Sequence, residues 1–138
     1  MLSSSQILLI ENNDDDAKIV ELTLRDVRIT NTLVHKVDVE SALEYLRDKN
    51  QPRPFIILLN LNLPQMQTFE FMKAFKADDS MKKIPIIALI SSENDKIVAE
   101  SFKLEIAGFI EKPVDYKKFI EVARALDIHW TLKGSQNE

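Results

Sequence analysis

No cysteine occurs in the 138 residues of this chain. That excludes a disulfide framework, a thiolate nucleophile and any cysteine-bound metal, and it fits a reducing compartment. Glycine is nearly missing too, with only Gly108 and Gly134 present. A phosphate-cradling loop needs several close glycines, so dinucleotide and Walker-type sites are excluded. Long apolar runs are lacking. The longest, Phe55 to Leu59 and Ile86 to Ile90, reach five residues, whereas crossing a bilayer takes about twenty. Met1 to Gln6 has neither the basic nor the apolar region of a signal peptide. A cytoplasmic protein with no membrane partner is therefore expected. Positive charge is not in excess either: 18 basic residues against 22 acidic ones leave a net charge of −4. That balance speaks against a nucleic-acid partner.

What is there is an alternation of strand and helix, repeated five times. Gln6 to Ile10 is a short apolar run, the mark of a strand buried on both faces. The polar cluster Glu11 to Asp16 follows, and Asp14, Asp15 and Asp16 suit a helix start, where carboxylates meet unpaired N–H groups. Ala17, Val20, Leu24 and Val27 then fall on one helical face. Thr32 to Val37 alternates like a strand near an edge, and Ser41 to Asp48 reads as a second helix. Pro52 and Pro54 break the chain before a third strand, Phe55 to Leu59, whose following turn holds Asn60. Phe69, Met72 and Phe75 suggest a third helix. Pro85 opens the strand Ile86 to Ile90, and Ser92 with Asp95 has capping-box spacing for a fourth helix reaching about Leu104. Gly108 to Ile110 is a short fifth strand. Asp115 is expected to cap the last helix, with Phe119, Val122 and Leu126 as its core stripe.

Short connections between alternating strands and helices imply parallel strands with right-handed crossovers. The expectation is an α/β, flavodoxin-like sheet of order 2-1-3-4-5 flanked by five helices. It forms one domain over residues 1–132, with a frayed tail at 133–138. In such a sheet functional groups gather beyond the C-terminal ends of the strands. Here those ends are Glu11 and Asn12, Asn60, Ile90 and Ser91, and Lys112.

Several motifs now stand in order: Ile7 to Asn13, Leu58 to Pro64, Ile84 to Ser91, and Gly108 to Pro113. Together they resemble a response-regulator receiver domain of the CheY-like superfamily over nearly the whole length. The Leu61-Asn62-Leu63-Pro64 turn, Lys112 to Asp115 and the ending Ile128-His129-Trp130 are similar to single-domain phytochrome-associated regulators. The resemblance implies an acidic pair that binds Mg²⁺, a phosphoacceptor aspartate, a hydroxyl switch, a lysine and an aromatic switch position. On this chain those roles align with Glu11 and Asn12, Asn60, Ile90 (Ser91 if the register shifts by one), Lys112 and Phe109. The lysine, its usually cis-linked proline and the aromatic position are kept; the others have changed.

The changes share one direction. An amide oxygen is not an anionic nucleophile, so Asn60 cannot form an acyl phosphate. Mg²⁺ wants hard oxygen donors, usually carboxylates. Glu11 and Lys112 alone sum to zero charge, and Asn12 and Asn60 offer neutral oxygens. Ile90 has no hydroxyl. No metal and no cofactor are therefore expected, and no enzymatic activity. Lys112 is expected to serve structurally, bonded to Glu11 or to the Asn60 carbonyl. As ordinary turn residues, Asn12 and Asn60 would need no such account, but the surrounding motifs favour the family roles. Asp14 to Asp16 read as a helix cap, and His35 and His129 as packing or surface groups.

The resulting expectation is a pseudo-receiver of a two-component phosphorelay pathway, acting by protein contact with a sensor histidine kinase or another signalling protein. With no appended output domain expected, its effect has to pass through partners. The alternatives are a receiver phosphorylated on another acidic residue, or a flavodoxin-like binder of a small ligand. A homodimer is expected through the face of the fourth helix, fifth strand and fifth helix, using Ile120, Ala123, Ile128 and Trp130. Aromatic groups are enriched at such contacts.

Overall fold

The computed structural model describes residues 6–26, 31–101 and 103–125. Strand and helix alternate as β1 (Gln6–Ile10), α1 (Asp14–Asp26), β2 (Leu33–Lys36), α2 (Val39–Arg47), β3 (Pro54–Asn60), α3 (Gln65–Ala77), β4 (Ile86–Ile90), α4 (Glu93–Ser101), β5 (Gly108–Glu111) and α5 (Tyr116–Ala125). All strand pairs are parallel, in the order β2-β1-β3-β4-β5. This is the expected flavodoxin-like topology.

The short apolar runs form central strands because each strand feeds two cores at once. Successive side chains of a strand point to opposite faces. Leu8, Ile10, Ile57, Leu59 and Ile86 therefore pack under α2 and α3, against Ala42, Leu46, Phe71 and Phe75. Ile7, Leu9, Ile56, Leu58, Ile87 and Leu89 pack under α1 and α5, against Val20, Leu24 and Phe119. Burying one such side chain contributes about 1.5–3 kcal/mol, so two full faces can anchor three strands without an alternating polar pattern.

Helix ends differ from the sequence reading in instructive ways. The cap of α1 is Asn13, whose Oδ1 accepts the Asp16 N–H at 2.8 Å; Asp14 to Asp16 fill the first turn instead. Helix α2 begins at Val39, two residues before the expected Ser41, because Asp38 Oδ1 caps the Ser41 N–H at 2.8 Å. The Ser41 hydroxyl and then the Ser41 N–H hold the Asp38 carboxyl below its usual range. At α4, Asp95 Oδ2 reaches back to the N–H of Ser91 at 2.8 Å, one residue earlier than a capping box on Ser92 requires. At α5, Asp115 Oδ1 accepts the Lys118 N–H at 2.9 Å, as expected.

Helix α4 stops at Ser101 rather than near Leu104. The Leu104 N–H bonds to the Ala99 carbonyl and the Lys103 N–H to the Glu100 carbonyl, both at 3.1 Å. This is a Schellman stop. Its left-handed position, ordinarily glycine, holds Lys103 at φ 55°, which is why no stop signal is visible in the sequence. Among the described residues no helix is long and apolar enough to cross a membrane. Val27, Leu126, His129 and the expected tail at 133–138 lie outside the described residues.

Candidate functional site

The C-terminal ends of β1, β3, β4 and β5 meet at one edge of the sheet. Backbone bonds fix their mutual register: the Glu11 N–H to the Lys36 carbonyl at 3.0 Å, Leu61 to Leu89 at 3.0 Å, and Lys112 to Ile90 at 2.7 Å. Glu11, directly after β1, is fully buried. Asn60 is the last residue of β3 itself, not of the turn, and is 1% exposed. The Lys112 side chain is 13% exposed. These three sequence-selected residues are brought together.

Asn60 makes a closed set of bonds. Its Nδ2 donates to Glu11 Oε2 at 2.8 Å and to Asn12 Oδ1 at 3.1 Å. Its Oδ1 accepts the Asn62 N–H at 3.0 Å. Both amide hydrogens and the amide oxygen are thus engaged. Flipping the amide would set its oxygen against the Glu11 carboxylate and its NH₂ against the Asn62 N–H, so the hydrogen-bond network selects this orientation. Glu11 Oε2 also accepts the Asn13 N–H at 3.2 Å.

Lys112 sits between two acids. Its Nζ lies 3.0 Å from Glu11 Oε1 and donates to Asp16 Oδ2 at 2.8 Å. The contact to Glu11 is an ion pair outside hydrogen-bond geometry, so Oε1 receives charge but no directed bond. The expected bond from Lys112 to Glu11 is present as that pair; the other expected partner, the Asn60 carbonyl, accepts from Asn62 instead. Asp16 joins this cluster although its sequence position marks only a helix start. Only the packing of α1 against the chain after β5 brings it to Lys112. With Asp16 included, the two carboxylates and one lysine carry a net charge of −1, not zero.

The donor set does not fit Mg²⁺. The ion needs several oxygens converging at about 2.0–2.1 Å. Asn60 turns its NH₂, not its oxygen, toward Glu11 and Asn12. The Asp16 oxygen and both Glu11 oxygens already face donors or the lysine. The amide hydrogens of Asn60 stand between acceptor oxygens, where a cation would otherwise balance them.

The remaining positions behave as follows. Ile90 is buried at the end of β4 and fills its space with hydrocarbon. Ser91 is exposed, and its hydroxyl accepts from Asn62 Nδ2. Phe109 is half-buried on β5, with Lys96 Nζ 5.6 Å from its ring centre. His35, expected only to pack or face solvent, bonds through Nε2 to the Glu11 carbonyl at 2.8 Å and so ties β2 to the site. The Lys112–Pro113 bond is cis. On the expected contact face Ile120 is half-buried, while the Ala123 side chain, Ile128 and Trp130 lie outside what is described. On the same side, α4 exposes Ile97 (55%) and Val98 (36%).

Comparison with known proteins gives a consistent picture. Residues 7–124 match the family described as response regulator receiver domain. Response regulator Rcp1 of a Synechocystis strain is 29% identical over 128 residues, covering 90% of this chain and 87% of that protein. The structure of the bacteriophytochrome response regulator AtBRR superposes with a TM-score of 0.85 at 29% identity, covering 96% of this chain and 99% of that one. The phosphorylated cyanobacterial phytochrome response regulator RcpA gives 0.71 at 27% identity, covering 96% and 97%.

Proposed function

The chain belongs to the response-regulator receiver family, and we propose that it is a pseudo-receiver: a two-component signalling module that works by protein contact without aspartyl phosphorylation. The observation that carries this reading is the bond from Asn60 Nδ2 to Glu11 Oε2 at 2.8 Å. At the acceptor position stands a group that cannot be phosphorylated, hydrogen-bonded so as to satisfy the acid that would otherwise share in metal binding. Buried Ile90 supports the same reading, since it offers no hydroxyl to sense a phosphoryl group. The partner we infer is a cytoplasmic sensor kinase of the phytochrome type or another signalling protein, by analogy with the phytochrome-type regulators that the chain resembles. Self-association through α4, β5 and α5 is part of this reading, with exposed Ile97 and half-buried Ile120 as its apolar groups.

Incubation with acetyl phosphate and Mg²⁺, followed by intact mass measurement, tests the proposal. The wild-type chain should gain no phosphoryl group. Asn60→Asp alone should gain little, because Asn12 and Ile90 remain, and Asn12→Asp/Asn60→Asp/Ile90→Thr should gain more. A phosphoryl adduct on the wild type overturns the reading. One observation favours a second reading in that event: Asp16 is a partly exposed carboxylate bonded to Lys112. If the adduct disappears in Asp16→Asn, Asp16 is the substitute acceptor.

A further inference from the structure

Helix α4 seats itself with one fully buried residue, Ala99, although it runs for nine residues. The small side chain leaves space beneath it. A cleft of about 170 Å³ opens there, walled by Leu61 and Leu63 after β3, Phe69 of α3, and Val98 and Ala99 of α4. Cavities of roughly 150 Å³ lined by such groups hold one benzene-sized ring. Two polar residues break the apolar lining. Thr68 of α3 is 4% exposed, and its hydroxyl has no hydrogen-bond partner. Among the described residues, Asp95 is the one charged group of the lining, and no basic side chain joins it there: Lys96 turns instead toward Phe109 and Glu93.

An apolar cleft with a single carboxylate selects an apolar body carrying a positive head. We propose that this α3–α4 cleft binds a small organic amine: a body of about one ring between Leu61, Phe69 and Val98, with its ammonium on Asp95. The cleft is separate from the Asn60 pocket but wired to it. Asn60 Oδ1 accepts the Asn62 N–H, the Asn62 side chain donates to the Ser91 hydroxyl, and the Ser91 N–H donates to Asp95 Oδ2. A ligand on Asp95 therefore stands three hydrogen bonds from Asn60. It would bias the seating of α4 in a chain whose phosphoryl input is lost. The binding itself does not depend on the pseudo-receiver reading, because no step of it involves phosphorylation.

The test is an NMR titration of the full chain with benzylamine, with benzoate and methylamine as controls. Benzylamine should shift the amide signals of Leu61, Thr68, Asp95, Val98 and Leu104 saturably, with an affinity at least tenfold above either control. Asp95→Asn keeps the acceptor for Ser91 but should reduce that affinity about tenfold. Ala99→Leu should fill the cleft and abolish binding. Should that variant not fold, Val98→Phe, at a partly exposed position, blocks the mouth and should do the same. Equal shifts with benzylamine and benzoate, shifts that fall elsewhere, or undiminished binding in both Asp95→Asn and Val98→Phe would each overturn the proposal.

Discussion

The amide nitrogen of Asn60 lies 2.8 Å from the buried carboxylate of Glu11, and the contact is attractive only because residue 60 is an amide. Replacing it by aspartate sets two carboxylates face to face. Asn60→Asp should lower stability at pH 7 by about 3 kcal/mol, the scale of an uncompensated buried charge. Like charge from its neighbour raises the folded pKa of the introduced carboxyl above the unfolded value of about 4. The unfolded state then ionises first as pH rises, so the loss is absent below about pH 4 and grows toward neutrality. Urea unfolding at pH 7 and pH 5 should therefore show a smaller gap between variant and wild type at the lower pH.

Mg²⁺ at millimolar concentration should leave the wild-type melting temperature unchanged. A ligand present at 100 times its dissociation constant would add about 2.7 kcal/mol, an effect calorimetry resolves easily. A clear rise would mean that Glu11 and Asp16 recruit the ion despite the inward-turned amide.

Lys112 neutralises Glu11 in a place that water hardly reaches. Lys112→Met should cost about 3–5 kcal/mol by leaving that carboxylate unpaired. Adding Glu11→Gln should recover part of the loss, giving a coupling of about 0.5–3 kcal/mol in a double-mutant cycle. Strict additivity of the two changes would show that the ion pair carries no energy.

Lys103 occupies the left-handed stop position of α4 at φ 55°, where a Cβ is crowded and glycine is not. Lys103→Gly should raise stability by about 0.5–1 kcal/mol. Chemical denaturation with unchanged m-value is the check, and a loss of stability would contradict the Schellman assignment.

Asp38 and Asp78 are both held below the usual carboxylate range, first by the hydroxyls of Ser41 and Ser80. A lowered folded pKa contributes stability that is present above the unfolded value and is lost as pH falls through the folded one. Asp38→Asn/Asp78→Asn should therefore flatten the decline of stability below about pH 4. Thermal unfolding between pH 2 and pH 5 reads this directly, and an unchanged slope would remove these caps from the acid response.

Self-association should be constitutive, since buried Ile90 offers no phosphate-dependent switch. Sedimentation at micromolar concentration should show a dimer, and Ile97→Glu should shift it to monomer. A wild-type chain that stays monomeric would leave this face for a different partner.

Much of the architecture was legible in the sequence because strand interiors and crossovers are local. Five-residue apolar runs such as Phe55 to Leu59, set between helical stretches, fit central strands of a parallel sheet, and five such units suit the order 2-1-3-4-5 without dictating it. Asn60, Asn12 and Ile90 were legible as departures because chemistry depends on residue type alone: an amide has no anionic oxygen wherever it sits. Only tertiary structure could decide what those residues touch. Asp16 looked like one more acid in a helix start, and it reaches Lys112 because α1 is laid against the end of β5, 96 positions away along the chain. The Schellman stop at Lys103 was hidden because backbone context, not glycine, imposed the left-handed turn. The orientation of the Asn60 amide followed from Glu11 and Asn12 at the end of β1 as well as from the nearby Asn62 N–H, and hydrogen bonds between distant segments exist only once the sheet has brought the strand ends together.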